Sequence, residues 1–147
     1  MHCKNILLTF FILLLSNLLL SSEFSTVNTN KAYLRAGPGK WYPIKWVLKI
    51  PGLPVKVLEE NGGYKMVELY DGTQGWVASN LTSNKQNLLV IKDAFIFNKK
   101  DYPIVKVKKY VVLNNLGCFN KKGNNYCEVK IEKFKGKIDI YKVWGQK

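Results

Sequence analysis

The chain has 147 residues, 47% of them hydrophobic, and a formal net charge of +13. That hydrophobic content excludes a disordered chain, and the length admits one ordinary domain or two very small ones. A single arginine, Arg35, stands among 22 lysines. Bidentate contacts to guanine and phosphate favour arginine, so no nucleic-acid partner is expected.

The charge is unevenly spread. Residues 31–83 hold seven basic and four acidic side chains, giving +3, whereas residues 84–147 hold fifteen and five, giving +10. A field of that sign attracts anionic polymers or an anionic membrane surface, over a range of roughly 8 Å at physiological salt.

Residues 1–22 have the three-part form of a secretory signal peptide. Lys4 supplies the positive start, Ile6 to Leu20 is an apolar run broken only by Thr9, Ser16 and Asn17, and the small Ser21 and Ser22 follow. The run is shorter than the roughly twenty residues that span a bilayer, so a cleaved leader is expected, with a periplasmic or secreted product. Cleavage anywhere from Ser21 to Ser25 suits this expectation. His2 and Cys3 would leave with the leader.

Glu23 to Asn30 is polar and reads as an N-terminal segment outside the first folded unit. Lys31 to Arg35 is the first predicted strand, and Ala36-Gly37-Pro38-Gly39 the irregular loop after it, since Pro38 has no N–H for a ladder. Strands follow at Ile44–Lys49 and Leu53–Glu59 around a Pro51-Gly52 turn, with Val55 and Val57 alternating with Lys56. Asn61-Gly62-Gly63 marks a tight hairpin. Tyr64 to Leu69 returns with Tyr64, Met66 and Glu68 on one face, and Asp71-Gly72 turns the chain into a strand at Gln74–Ala78. Five short antiparallel strands would leave exposed edges in an open sheet, so a strongly bent barrel is expected over residues 31–91, closed or extended by Leu88 to Ile91.

The second half repeats the plan. Tyr102-Pro103-Ile104 follows Tyr42-Pro43-Ile44 by 60 residues, Tyr126 to Val129 stands 62 after Tyr64 to Val67, and Gly136-Lys137-Ile138 stands 61 after Gly75-Trp76-Val77. Three ordered matches at nearly constant offset predict an internal duplication, with a degenerate second barrel at residues 92–147. Its first loop is Asn98-Lys99-Lys100-Asp101 in place of the Gly-Pro-Gly segment. Cys118 and Cys127 flank a polar, glycine-containing hairpin loop, and in an oxidising compartment they are expected to form a structural disulfide. No metal and no cofactor is expected, because the residues after the leader include no histidine and no further cysteine.

The segments Leu34-Arg35-Ala36-Gly37-Pro38-Gly39, Tyr42-Pro43-Ile44, Gly52-Leu53-Pro54-Val55-Lys56-Val57 and Asp71-Gly72-Thr73-Gln74-Gly75-Trp76-Val77 resemble, in order and spacing, the bacterial SH3-like (SH3b) family. The resemblance covers residues 31–83 closely and residues 92–145 only through periodicity and aromatic positions. It implies an all-β chain of two small SH3-like barrels in tandem, and tandem relatives of this kind often carry a cysteine pair at the position of Cys118 and Cys127. It further implies binding of cell-wall polymers such as peptidoglycan, or of an envelope protein peptide, without chemistry. The family's recognition surface maps onto Trp41, Tyr42 and Trp46 on one side and Tyr64 and Trp76 on the other. Such rings offer rigid contact area and polar tips. Trp76 also suits a core position and Tyr42 a turn. Arg35 could meet a ligand anion or pair with a carboxylate such as Asp71. A shared site requires Trp41, Tyr42, Trp46 and Tyr64 to line one open groove.

An enzyme is not expected. Without a histidine, nucleophilic triads and the usual zinc hydrolase sites lack their base or ligand. Glu59 and Glu60 are adjacent on a strand and so point to opposite faces, unlike a converging glycosidase pair.

Overall fold

The structure, a computed structural model, describes residues 23–146; the leader assigned to residues 1–22 lies outside them. All regular elements are strands apart from two single-turn 3₁₀ segments at Ser79–Leu81 and Ile140–Lys142. The first unit contains β1 (Glu23–Val27), β2 (Ala32–Arg35), β3 (Ile44–Leu48), β4 (Leu53–Asn61), β5 (Tyr64–Glu68), β6 (Gln74–Ala78) and β7 (Thr82–Ser83). The second contains β8 (Asn87–Val90), β9 (Ala94–Phe97), β10 (Pro103–Val107), β11 (Val112–Lys121), β12 (Asn124–Ile131), β13 (Phe134–Asp139) and β14 (Val143–Trp144).

Each unit is one antiparallel sheet bent around its own core. The hydrogen-bonded order is β3-β2-β6-β5-β4-β1-β7 in the first and β10-β9-β13-β12-β11-β8-β14 in the second, the same path followed twice. The ladders do not close between the outermost strands, so each is an open, bent barrel. Clearance at one glycine in each unit shows how alike the two are. A Cβ at Gly75 would lie 2.6 Å from Leu34 Cγ and 3.0 Å from the Arg35 carbonyl. At Gly136 it would collide with the Phe97 carbonyl oxygen and Ile96. In both units the β2-type strand crosses so closely over the β6-type strand that only a hydrogen fits beneath it.

The segment Glu23–Asn30 corrects the sequence reading. Rather than a polar lead-in, it supplies β1, which pairs with β4 from Glu23↔Val57 to Val27↔Leu53 and with β7 through Thr26↔Ser83. Phe24, Ser25, Thr26 and Val27 are all buried. Its hydroxyls do not oppose burial because they have partners: Lys65 Nζ donates to Ser25 Oγ at 3.3 Å, and Thr26 Oγ1 donates to the Lys85 carbonyl at 2.8 Å. Loss of the chain through Ser25 would therefore strip Glu23, Phe24 and Ser25 from the β1–β4 ladder.

The unit boundary also moves. The sequence reading ends the first barrel at residue 91, whereas β8 pairs with β11 and β14 and belongs to the second sheet. Its side chains serve both units: Leu88 and Val90 enter the second core, while Leu89 enters the first among Val27, Leu53 and Val55. Asn87 Nδ2 donates to the Gly52 carbonyl at 2.9 Å, and the Phe24 and Trp144 rings meet edge to face at 5.0 Å. The two units thus share a packed, hydrogen-bonded seam.

Candidate functional site

On the first sheet Leu34, Val67 and Val77 point into the core. The alternate residues form the outer face, where Arg35, Trp76 and Met66 stand in register across β2, β6 and β5, and Tyr64 stands opposite Ala78. A groove of about 280 Å³ opens on this face, lined by Tyr33, Arg35, Lys40, Tyr64, Ala78, Asn80 and Leu81. Its walls are two phenol rings and a guanidinium, which suits a ligand offering both flat apolar surface and hydrogen-bonding groups.

The six residues expected at the site are not all brought together. Arg35 and Tyr64 line the groove; Trp41, Tyr42, Trp46 and Trp76 do not. Trp76 is only 9% exposed and fills the sheet surface between Arg35 and Met66. Trp46 is 57% exposed but lies opposite Leu34, on the other side of β3 from the residues facing Tyr33 and Arg35. Of the four residues expected to share one groove, only Tyr64 lines this one. Trp46 pairs with the inward-facing Leu34, beyond the point where the β2–β3 register slips between Leu34 and Arg35.

Trp41 and Tyr42 sit instead on the loop beside the groove, next to its lining residue Lys40. Their rings lie 6.1 Å apart and fold back over the glycine backbone. A Cβ at Gly39 would stand 2.7 Å from the indole of Trp41, and one at Gly37 would stand 2.5 Å from the Tyr42 ring. The Gly-Pro-Gly segment is therefore a bed for two aromatic rings. Trp41 remains 81% exposed on that bed.

Arg35 secures the loop from below. One of its terminal nitrogens donates to the carbonyls of Lys40 at 3.0 Å and Tyr42 at 2.9 Å, and its guanidinium lies over the Tyr33 ring at 5.6 Å. The expected pair with Asp71 is absent: Asp71 instead accepts the Thr73 N–H at 3.0 Å across its turn. That hydrogen bond holds the Asp71 carboxyl below the usual carboxylate range. Tyr33 was missed in the sequence, although the alternation Ala32-Tyr33-Leu34-Arg35 puts it on the face of Arg35.

The second unit presents different chemistry at equivalent positions. Phe97, Lys137 and Glu128 are in register across β9, β13 and β12, where the first unit has Arg35, Trp76 and Met66. Cys118 and Cys127 lie directly opposite each other on β11 and β12 and form a disulfide. Phe119 and Tyr126, the next pair in that ladder, have rings 6.1 Å apart on the other face. Among the described residues no three His, Cys, Asp or Glu side chains gather as a metal site would require.

Residues 28–84, which lie within the first unit and its link to the second, match the family described as bacterial SH3 domain. The solved structures of NlpC2 and NlpC1 from Trichomonas vaginalis are similar to the chain at 14% and 13% identity, each with a TM-score of 0.40. The matches cover 84% and 87% of this chain but 48% and 47% of those proteins, so the chain spans about half their length. No curated protein matches the chain in sequence.

Proposed function

We propose that this chain is an exported, non-catalytic binding protein whose first unit recognises cell-wall glycopeptide or a protein peptide. The observation that carries the reading is Trp41, an indole left 81% exposed yet fixed against Gly39, beside the groove of Tyr33, Arg35 and Tyr64. A ring ordered before the ligand arrives loses little freedom on binding, which favours a contact role over a packing role. The match to the bacterial SH3 family and the leader-like residues 1–22 support a role at the cell wall, in the periplasm or outside the cell. The absence of histidine after the leader supports a binder rather than an enzyme.

Retention on isolated sacculi tests this. Trp41→Ala and Tyr64→Ala are each expected to weaken retention about tenfold, in the range of an aromatic hot spot. Retention that neither substitution changes, or no retention at all, rejects the cell-wall assignment.

The charge distribution favours a second reading, in which the protein is a structural component of the envelope whose basic second unit docks on an anionic membrane or protein partner. Adhesion of the full protein to anionic vesicles, lost in high salt, is its expected signature. Adhesion indifferent to salt counts against it.

A further inference from the structure

A second concavity lies on the second unit. It has a volume of about 620 Å³ and is lined by residues of β9, β11, β12 and β13. Phe97 and Phe119 form its apolar surface, and Lys99, Lys121, Lys135 and Lys137 bring four ammonium groups to it against two carboxylates, Glu128 in the lining and Asp101 beside it. The volume falls within the roughly 300–1,000 Å³ range of ligand pockets.

Three of these cations are paired within the protein. Lys137 is 8% exposed, lies 4.7 Å from the centroid of the Tyr126 ring, and pairs with Asp101, which Lys121 also approaches at 3.8 Å. Lys135 pairs with Glu128 at 3.3 Å. Asp101 adopts a left-handed backbone conformation, with φ of 65°, in the loop that replaces the Gly-Pro-Gly segment. The hydrogen bond from Lys137 holds the Asp101 carboxyl below its ordinary range and raises the lysine, so both stay charged at neutral pH. The pocket is thus already arranged around carboxylates, with Lys99 and the outer sides of Lys121 and Lys135 available to others.

We propose that this pocket is a binding site for an acidic peptide segment in which carboxylate side chains neighbour an apolar one, the carboxylates meeting Lys99, Lys121 and Lys135 and the apolar side chain lying on Phe97 and Phe119. The two phenylalanine rings offer an apolar surface without hydrogen-bonding atoms of their own, which fits an aliphatic or aromatic side chain set among carboxylates. A bilayer is flat, whereas the charge here lines a concavity in which Lys137 is almost wholly covered. The site stands apart from the aromatic groove of the first unit and gives the docking reading a specific partner chemistry. The disulfide holds the ladder step next to Phe119 and Tyr126, which keeps that side of the pocket in register.

The test is fluorescence anisotropy with the full protein and a short fluorescein-labelled peptide alternating glutamate with leucine. Replacing the glutamates by glutamine, or the leucines by serine, is expected to weaken binding about tenfold or more. The surface variant K99Q/K135Q is expected to do the same, with an unchanged circular dichroism spectrum. Equal affinity for the glutamine peptide, an unaffected K99Q/K135Q protein, or no binding overturns the proposal. Stronger binding of polygalacturonate or of phosphatidylglycerol vesicles than of the peptide also overturns it. Salt-sensitive vesicle adhesion that survives K99Q/K135Q would retain the docking reading while removing this pocket from it.

Discussion

Leu89→Ala removes three carbons from a side chain that is 0% exposed, lies on a strand of the second sheet, and packs in the core of the first unit. At about 0.8 kcal/mol for each buried methylene-sized group, the lost transfer energy is about 2.4 kcal/mol. The cavity left by incomplete collapse brings leucine-to-alanine changes to about 2.7–5.0 kcal/mol, so about 3–4 kcal/mol is expected here. Urea unfolding followed by tryptophan fluorescence reads the loss, because Trp41, Trp46 and Trp76 all belong to the first unit. With a slope of about 2 kcal/mol/M, the midpoint should fall by about 1.5–2 M. Hydrogen exchange then locates it: amides of β4 to β6 should lose protection although the substitution lies in β8. A loss below about 1 kcal/mol, or loss of protection confined to β11 to β13, would refute the shared core.

Three further perturbations bear on the fold. Cys118→Ala, which leaves the buried Cys127 in place, should lower stability by about 2–3 kcal/mol through the freed loop, and calorimetry under reducing conditions should then show no difference from the unsubstituted protein. Gly136→Ala and Gly75→Ala should each cost at least about 1–3 kcal/mol by overpacking. Gly136 should be the worse of the two, because the atom nearest its added carbon is the Phe97 backbone oxygen, whereas at Gly75 the nearest is a Leu34 side-chain carbon and the backbone stands at 3.0 Å; denaturant midpoints rank them. Across the seam the Tyr70 and Tyr110 rings lie 5.6 Å apart, and the Tyr110 contact chiefly pushes the Tyr70 phenol up to about 12 while Tyr70 holds Tyr110 below its usual value. On the sign of linkage, Tyr70 contributes stability below its unfolded value that is lost as pH rises toward 12, whereas Tyr110 contributes stability that is lost as pH falls through its lowered value. Phenolate absorbance in Tyr70→Phe should show Tyr110 titrating later; an unchanged onset would show the pair to be unlinked.

Much of the first unit was legible because its turns depend on residue type. Gly62, Gly63 and Gly72 occupy positive φ in hairpins, and the strands between them alternate as their half-buried faces require. Two elements were hidden for different physical reasons. In β1 the buried positions include Ser25 and Thr26, whose hydroxyls find partners in distant segments, so local polarity misreports burial. In β8 the unbroken run Leu88-Leu89-Val90 reads as one buried strand, and nothing local reveals that its alternate faces enter two cores. At the site, Trp46 was misplaced by a bulge that depends on strand pairing. The lysine-lined pocket escaped notice because Lys99, Lys121 and Lys137 are distant in sequence and meet only through the sheet.

Strand β1 has a consequence for how the chain acquires its structure. It lies between β4 and β7, and the core above it is completed by Leu89 of β8. The first unit thus packs on residues outside its own sheet. Thr26 of β1 is tied to Lys85, 59 residues away, and contacts of that separation are slow to form. A fragment limited to residues 28–84 would lack both β1 and Leu89, and so would leave open the two sides on which the sheet is completed. Strand β1 and Leu89 thus make the stability of the first unit depend on segments beyond the matched stretch.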